Sequence, residues 1–300
     1  MSLTLLADNW IALSLLASLI GAVMIQANHT FQLQGPVLIL VRSAFASLLL
    51  LPVVLTVTWP QNQLFYVMTG GIALALFMAD AVVFAAARGF GGRMASIFLP
   101  MKIIFGFIAW CLVDPGFVKA LMQHPLHAAG VVGCLLLGGG GMLVMRASEN
   151  GWRAFMFMLP CGLAFALSDT LVKLALRGQD LAAAVMVLTF LVNVVHVPVA
   201  MAWLARNGGM KTLTLPRRQT LLLAGGVMGL LAVAMLGSMN SAFSLSPNPA
   251  YVNALGLLSI VWLSLYHRIR GYQDDVSIWS MAVFVLSALG IILLVGSQQG

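Results

Sequence analysis

The sequence predicts an all-α integral membrane protein, with ten transmembrane helices arranged as two inverted five-helix repeats over residues 1–150 and 151–300. Three observations predict it. Ten apolar stretches, each long enough to cross a bilayer, fill the 300 residues almost end to end. The cations gather in alternate connections between these stretches, and short motifs of the first half return in the second. The composition agrees: 61% of residues are hydrophobic and 8% charged, the balance that a lipid solvent demands of spanning helices.

In chain order the stretches cover 10–27, 36–57, 64–87, 95–113, 126–145, 154–176, 181–204, 219–243, 250–266 and 277–296. A span needs about 20 residues at roughly 1.5 Å each, whereas spanning strands would be segments of about 10 residues with alternating polarity. The first stretch starts at Trp10 behind Asp8 with no Lys or Arg before it, so it lacks the positive flank of a cleaved leader and reads as a retained helix. The second opens at Pro36 and the fourth holds Pro100; Pro160 and Pro198 interrupt the sixth and seventh. Such prolines free backbone carbonyls and suit kinks or gates. The glycine run 138–141 in the fifth lacks a following Gly-Lys-Ser/Thr and reads as close helix packing rather than a phosphate loop. Connections 114–125 and 205–218 are the longest and too short for a core of their own, so any site lies among the helices. Cys111, Cys134 and Cys161 fall in or at the edge of spans without metal-ligand spacing, and packing is their expected role.

One set of alternate connections carries Arg88, Arg93, Arg146, Arg153, Arg206, Lys211, Arg217, Arg218, Arg268 and Arg270, and the other carries Lys119 and Arg177. This asymmetry predicts that the first set is cytoplasmic and that both termini lie on the outer side. The formal charge of +7 is thereby absorbed as a topology pattern, and no nucleic-acid partner is expected. Gly70-Gly71-Ile-Ala-Leu-Ala-Leu in the third stretch is echoed by Gly225-Gly226-Val-Met-Gly-Leu-Leu in the eighth. Trp110 and Trp262 end the stretches that follow, and the fifth and tenth match loosely at Gly140 and Gly290. Five spans per copy is odd, so the second copy enters the membrane from the opposite side, a recurring plan of secondary transporters.

Gly35-Pro36-Val-Leu-Ile-Leu-Val-Arg42 followed by an apolar run to Pro52, and Met94-Ala-Ser-Ile-Phe-Leu-Pro100, together with the five-plus-five layout, resemble the ten-helix drug/metabolite transporter superfamily, in particular its EamA-type exporters. Where those proteins often carry Glu after the fourth and ninth helices, this chain has Asp114-Pro115 and His267-Arg268. The resemblance implies a secondary exporter in a bacterial inner membrane. Its solute would be a small amphipathic metabolite, such as an amino acid or a xenobiotic, moved by alternating access.

Five formal charges lie inside spans: Arg42, Asp80, Lys102, Asp169 and Lys173. Each costs about 2.5–3.5 kcal/mol near a helix centre, so they must be paired or wet. Measured inward from Arg88 and Met94, Asp80 and Lys102 are each eight residues deep, about 12 Å on antiparallel helices. A pair between them is expected, with Arg42 near the same face. A structural ion pair with a snorkelling Arg, or a solute and proton path, fits this cluster. Asp169 and Lys173 are four apart, the spacing of a pair on one helix face; Asp169 within Ser168-Asp169-Thr170 also suits an aqueous cavity. His196, one turn from Asn193, suits proton relay or a bond to a neighbouring helix. Gln26, Asn28, Asn240 and Asn253 are either interhelical glue or cavity lining.

No P-loop is present and there is no room for a nucleotide-binding domain, so an ion or solute gradient would drive transport. No cofactor is expected. The only Glu, Glu149, is in a connection, which leaves Asp80, Asp169 and His196 as candidates for proton coupling. The expected partners are a small-molecule solute and membrane lipid. A membrane-embedded enzyme acting on a lipid or isoprenoid substrate is the competing class, but the acids are scattered singly, with no His-Glu-x-x-His or Gly-x-Ser-x-Gly. A non-transporting scaffold is the third.

Overall fold

A computed structural model describes residues 9–31, 33, 35–90, 100–144, 151–206, 218–271 and 278–296. Among the described residues every regular element is a helix: α1 (Trp10–Phe31), α2 (Gly35–Val54), α3 (Gln63–Phe90), α4 (Met101–Val113), α5 (Pro115–Met122), α6 (Pro125–Val144), α7 (Gly151–Leu176), α8 (Leu181–Arg206), α9 (Arg218–Leu245), α10 (Pro249–Gly256), α11 (Leu258–Ile269) and α12 (Ile278–Gly296). Lipid offers no hydrogen bonds to the backbone, and a helix satisfies its own. By length and composition eight spans among the described residues can cross a membrane, α10 and α11 counting as one of them (Pro249–Ile269), or nine if α4 and α5 count as one bent span. The chain is a multi-pass membrane protein.

Helix boundaries follow local chemistry. Asn9 Oδ1 accepts from the backbone N–H groups of Ile11 and Ala12 (3.0 and 3.3 Å) at the start of α1. Asn62 Oδ1 accepts from Leu64 N (2.9 Å) at the start of α3, and Asn248 Oδ1 from Ala250 N (2.9 Å) at α10. These are N-caps, each satisfying an orphan donor. Gly178 and Gly271, at φ 73° and 71°, follow α7 and α11 in the left-handed conformation that ends helices. Within the apolar helices, hydroxyls fold back onto carbonyls one turn earlier, as Ser14 does on Trp10 (2.6 Å) and Thr170 on Ala166 (2.8 Å), so they need no water.

One connection and one span depart from the sequence expectation. Residues 115–122 of the 114–125 connection form a helix, because Pro115 at its start suits the fixed proline φ and Asp114 Oδ1 accepts from Phe117 N at 3.0 Å. It is bent 103° from α4. The ninth stretch runs from Pro249 to Ile269 and breaks at Leu257, where i→i+3 bonds from Leu257 N to Ala254 O (3.3 Å) and Ile260 N to Leu257 O (3.0 Å) tighten the chain. Pro100 precedes α4 as its cap, and the expected segment 95–99 lies outside the described residues. Pro160 and Pro198 sit inside continuous helices.

The helices approach through small residues. α3 lies along α7, α1 along α9, α2 against α8 and α9, and α6 against α12. A Cβ on Gly229 would stand 2.8 Å from Phe45 Cβ and 3.0 Å from the Ala46 nitrogen, and one on Gly225 2.4 Å from the Phe45 ring. One on Gly290 would meet Cys134 Sγ, and one on Gly138 would lie 2.6 Å from Ser287 Oγ. Only glycine permits these contacts, and without a hydrophobic force between helices in lipid, such close packing supplies the attraction. The largest buried cluster joins Trp10, Phe65, Leu176, Phe243, Tyr251 and Phe284. Two smaller ones hold Ala79, Met101, Met158 and Cys161, and Ile39, Phe77 and Ala200.

Candidate functional site

The charged side chains of the spans form two groups. In the first, Arg42 Nη2 on α2 donates to Asp80 Oδ2 on α3 at 3.3 Å, with side chains 14% and 24% exposed. The expected Asp80–Lys102 pair is not formed. Matching depth on consecutive helices was a sound condition for contact, but among the described residues α3 and α4 each pack chiefly on α7. Lys102 turns towards α7 instead, its ammonium 5.5 Å from the centre of the Phe165 ring, a cation–π contact. Asp80 therefore takes the cation of α2. Beside this pair, His196 on α8 shares Nε2 with the Ala73 carbonyl at 2.9 Å and stands edge-on to Phe77, which in turn meets Trp203. His196 lies within Coulombic range of both Arg42 and Asp80. Arg42 Nε and His196 Nδ1 are buried without a partner.

In the second group Asp169 on α7 is 5% exposed, and its Oδ2 accepts from Asn253 Nδ2 on α10 at 2.7 Å. Asn253 is fully buried, one turn before the break at Leu257. Gly106 on α4 faces it, and a Cβ there would lie in ordinary contact, 3.9 Å from Asn253 Nδ2. The expected Asp169–Lys173 pair is not formed either: Lys173 Nζ reaches past the end of α9 to the carbonyls of Phe243 (3.1 Å), Ser244 (3.3 Å) and Ser246, under the ring of Trp110. Helix spacing allowed the pair, but a lysine near a neighbouring helix C-terminus has three unsatisfied carbonyls within reach. Lys102 lies within Coulombic range of Asp169 and so stands between the two groups.

Of the remaining candidates, Asn240 and Gln26 join helices. Asn240 Nδ2 on α9 donates to Thr189 Oγ1 on α8 (3.3 Å), while Asn193 Nδ2 donates to the Thr189 carbonyl (2.8 Å). Gln26 Oε1 on α1 meets His267 Nε2 on α11 at 3.0 Å. Asn28, two residues on, is half-buried on a different face of α1. Thr189, Trp110 and Phe165 were not singled out by the sequence. Thr189 carried a usable signal, standing four residues before Asn193 and seven before His196 on one helix face; the two aromatics, among many, carried none.

The bundle matches known architecture. Nineteen chains of solved structures match this one. One, a crystal structure of a protein, superposes with a TM-score of 0.65 over 94% of this chain and 96% of its own, at 15% identity. The two share a fold. No family model matches the chain, and no curated protein does.

Proposed function

We propose that this chain is a secondary transporter of the ten-helix drug/metabolite type, exporting a small amphipathic metabolite such as an amino acid or a xenobiotic by alternating access. The observation that carries the reading is the Arg42–Asp80 pair: two charges inside lipid-crossing helices that keep 14% and 24% of their surface exposed. Charges inside membrane spans are costly, and by default they point to a solute or ion path. Arg42 Nε and His196 Nδ1 add polar capacity that a solute can use.

The helix packing supports two inverted repeats, 1–150 and 151–300. With the halves exchanged, α1 answers to α7, α2 to α8, α3 to α9, α4 to α10–α11, and α6 to α12. The α1–α9 contact then maps onto α7–α3, α2–α9 onto α8–α3, and α4–α7 onto α10–α11 with α1, while α2–α8 and α6–α12 map onto themselves. The ninth span tightens into i→i+3 bonds at Leu257, one turn after the Asn253 that bonds Asp169, and transporters place sites near such local irregularities in their helices. The charge pattern supports an orientation with both termini outside, and the resemblance to the drug/metabolite exporters implies a bacterial inner membrane. Asp80, Asp169 and His196 are the candidates for proton coupling.

Purified protein in proteoliposomes, loaded with amino acids or cationic dyes and given an inward or outward pH gradient, tests the reading. Saturable movement of at least one solute class is expected. Absence of saturable flux across the panel, with binding intact, would return the chain to the scaffold class.

A further inference from the structure

The structure assigns a monovalent-cation site to the junction of α4, α7 and α9, filled by the chain's own Lys173 ammonium. Three carbonyl oxygens, of Phe243 and Ser244 in the last turn of α9 and of Ser246 just past it, converge on Nζ. They use all three N–H donors of an ammonium. The Trp110 ring covers the remaining side, 5.0 Å from Nζ to its centre. Its indole N–H is buried without an acceptor, so Trp110 serves the site through its π face. No carboxylate bonds Nζ directly: Asp169, one turn away on α7, is engaged by Asn253, and Asp114, whose charge acts on Lys173 from the end of α4, caps α5 through Phe117 N. Carbonyl dipoles at a helix C-terminus and an aromatic face are the chemistry that selects a small cation.

The cage is built independently of its occupant. Ser246 Oγ lies at hydrogen-bond distance from the Phe243 carbonyl (3.3 Å) and the Asn248 carbonyl (3.2 Å), and the Asn248 side chain caps α10 through Ala250 N. Phe243, Ser246 and Asn248 are buried. The oxygens are therefore held by the α9–α10 turn itself, and removing the ammonium leaves them converging on a vacant position. Lys173 thus acts as a tethered cation where other membrane proteins recruit an ion from solution, and the chain needs no sodium or potassium at this place. The assignment does not depend on what, if anything, the protein carries.

The test uses the full chain in detergent. Lys173→Ala removes the ammonium and opens space for propylammonium, the cation closest to the deleted atoms. Propylammonium is expected to restore about half or more of the lost melting temperature, saturably, as a ligand bound to the native state does. Neither tetramethylammonium, which has no N–H donor, nor propanol should do so, and the space-filling Lys173→Met should not respond. No saturable recovery, or equal recovery with tetramethylammonium or propanol, overturns the site. A second measurement needs no variant: brief acetylation of the folded wild type should modify exposed Lys119 and spare Lys173. Acetylation of Lys173 at the rate of Lys119 overturns the assignment as well.

Discussion

Arg42 and Asp80 meet at 3.3 Å across α2 and α3, so the one carboxylate of the third span is taken by a cation arriving from the second, and Lys102 on α4 keeps an aromatic ring as its partner. Breaking a charge pair inside a bundle leaves the survivor without compensation. Asp80→Asn and Arg42→Met should each lower stability by about 1–3 kcal/mol, the usual range for a charged hydrogen bond, and the double variant by less than the sum. Lys102→Met should combine additively with Asp80→Asn. Melting of the three single and two double variants in detergent checks this, and additive losses for Arg42 and Asp80 would dissolve the pair.

Asp169 is the deepest carboxylate, bonded to Asn253 rather than to a cation. If it carries the coupling proton, Asp169→Asn should abolish pH-gradient-driven accumulation and keep solute counterflow, because the amide mimics the protonated acid. Accumulation at wild-type rates in proteoliposomes would remove Asp169 from the coupling mechanism.

Glycines at the α2–α9 contact should show opposite signs. Gly229→Ala places a methyl 3.0 Å from the Ala46 backbone nitrogen. The helices must separate, at a cost of about 1–3 kcal/mol typical of overpacking. Gly226→Ala meets nothing within 4 Å and should be neutral or stabilising by up to about 1 kcal/mol through helix propensity. Thermal melts of both variants suffice, and equal behaviour of the two would refute the contact.

The asymmetry of Arg and Lys between alternate connections predicts the sidedness. A single cysteine placed at Asn207 should react with an impermeant maleimide only in inverted vesicles, and one at Gly178 only in intact spheroplasts. The reverse pattern inverts the topology.

The sequence announced where helices would be, because hydropathy is a property of single stretches, and it located the buried charges for the same reason. Which charges would meet was not legible. Asp80 and Lys102 share a depth, but their helices both pack on α7, and Asp169 and Lys173 share a face, but Asn253 and the carbonyls ending α9 are better placed. Neighbourhood between helices depends on small residues such as Gly229 and Gly290, whose steric meaning appears only once a partner is opposite. Asn240 and His196 are bonded to neighbouring helices, the glue that was one of the two roles open to each. The helix over 115–122 was hidden by its brevity, although Asp114-Pro115 is a recognisable start.

The joint at Leu257 divides the ninth span into parts under unequal constraint. Below it α10 buries every residue from Pro249 to Leu255 and is wedged among α1, α4, α6, α7, α9 and α12. Beyond it α11 buries Leu258 and Ser264 and rests on α1 and α12. The first part of the span is therefore held on more sides than the second. Amide hydrogen exchange should run ahead in 258–269 and lag in 249–256.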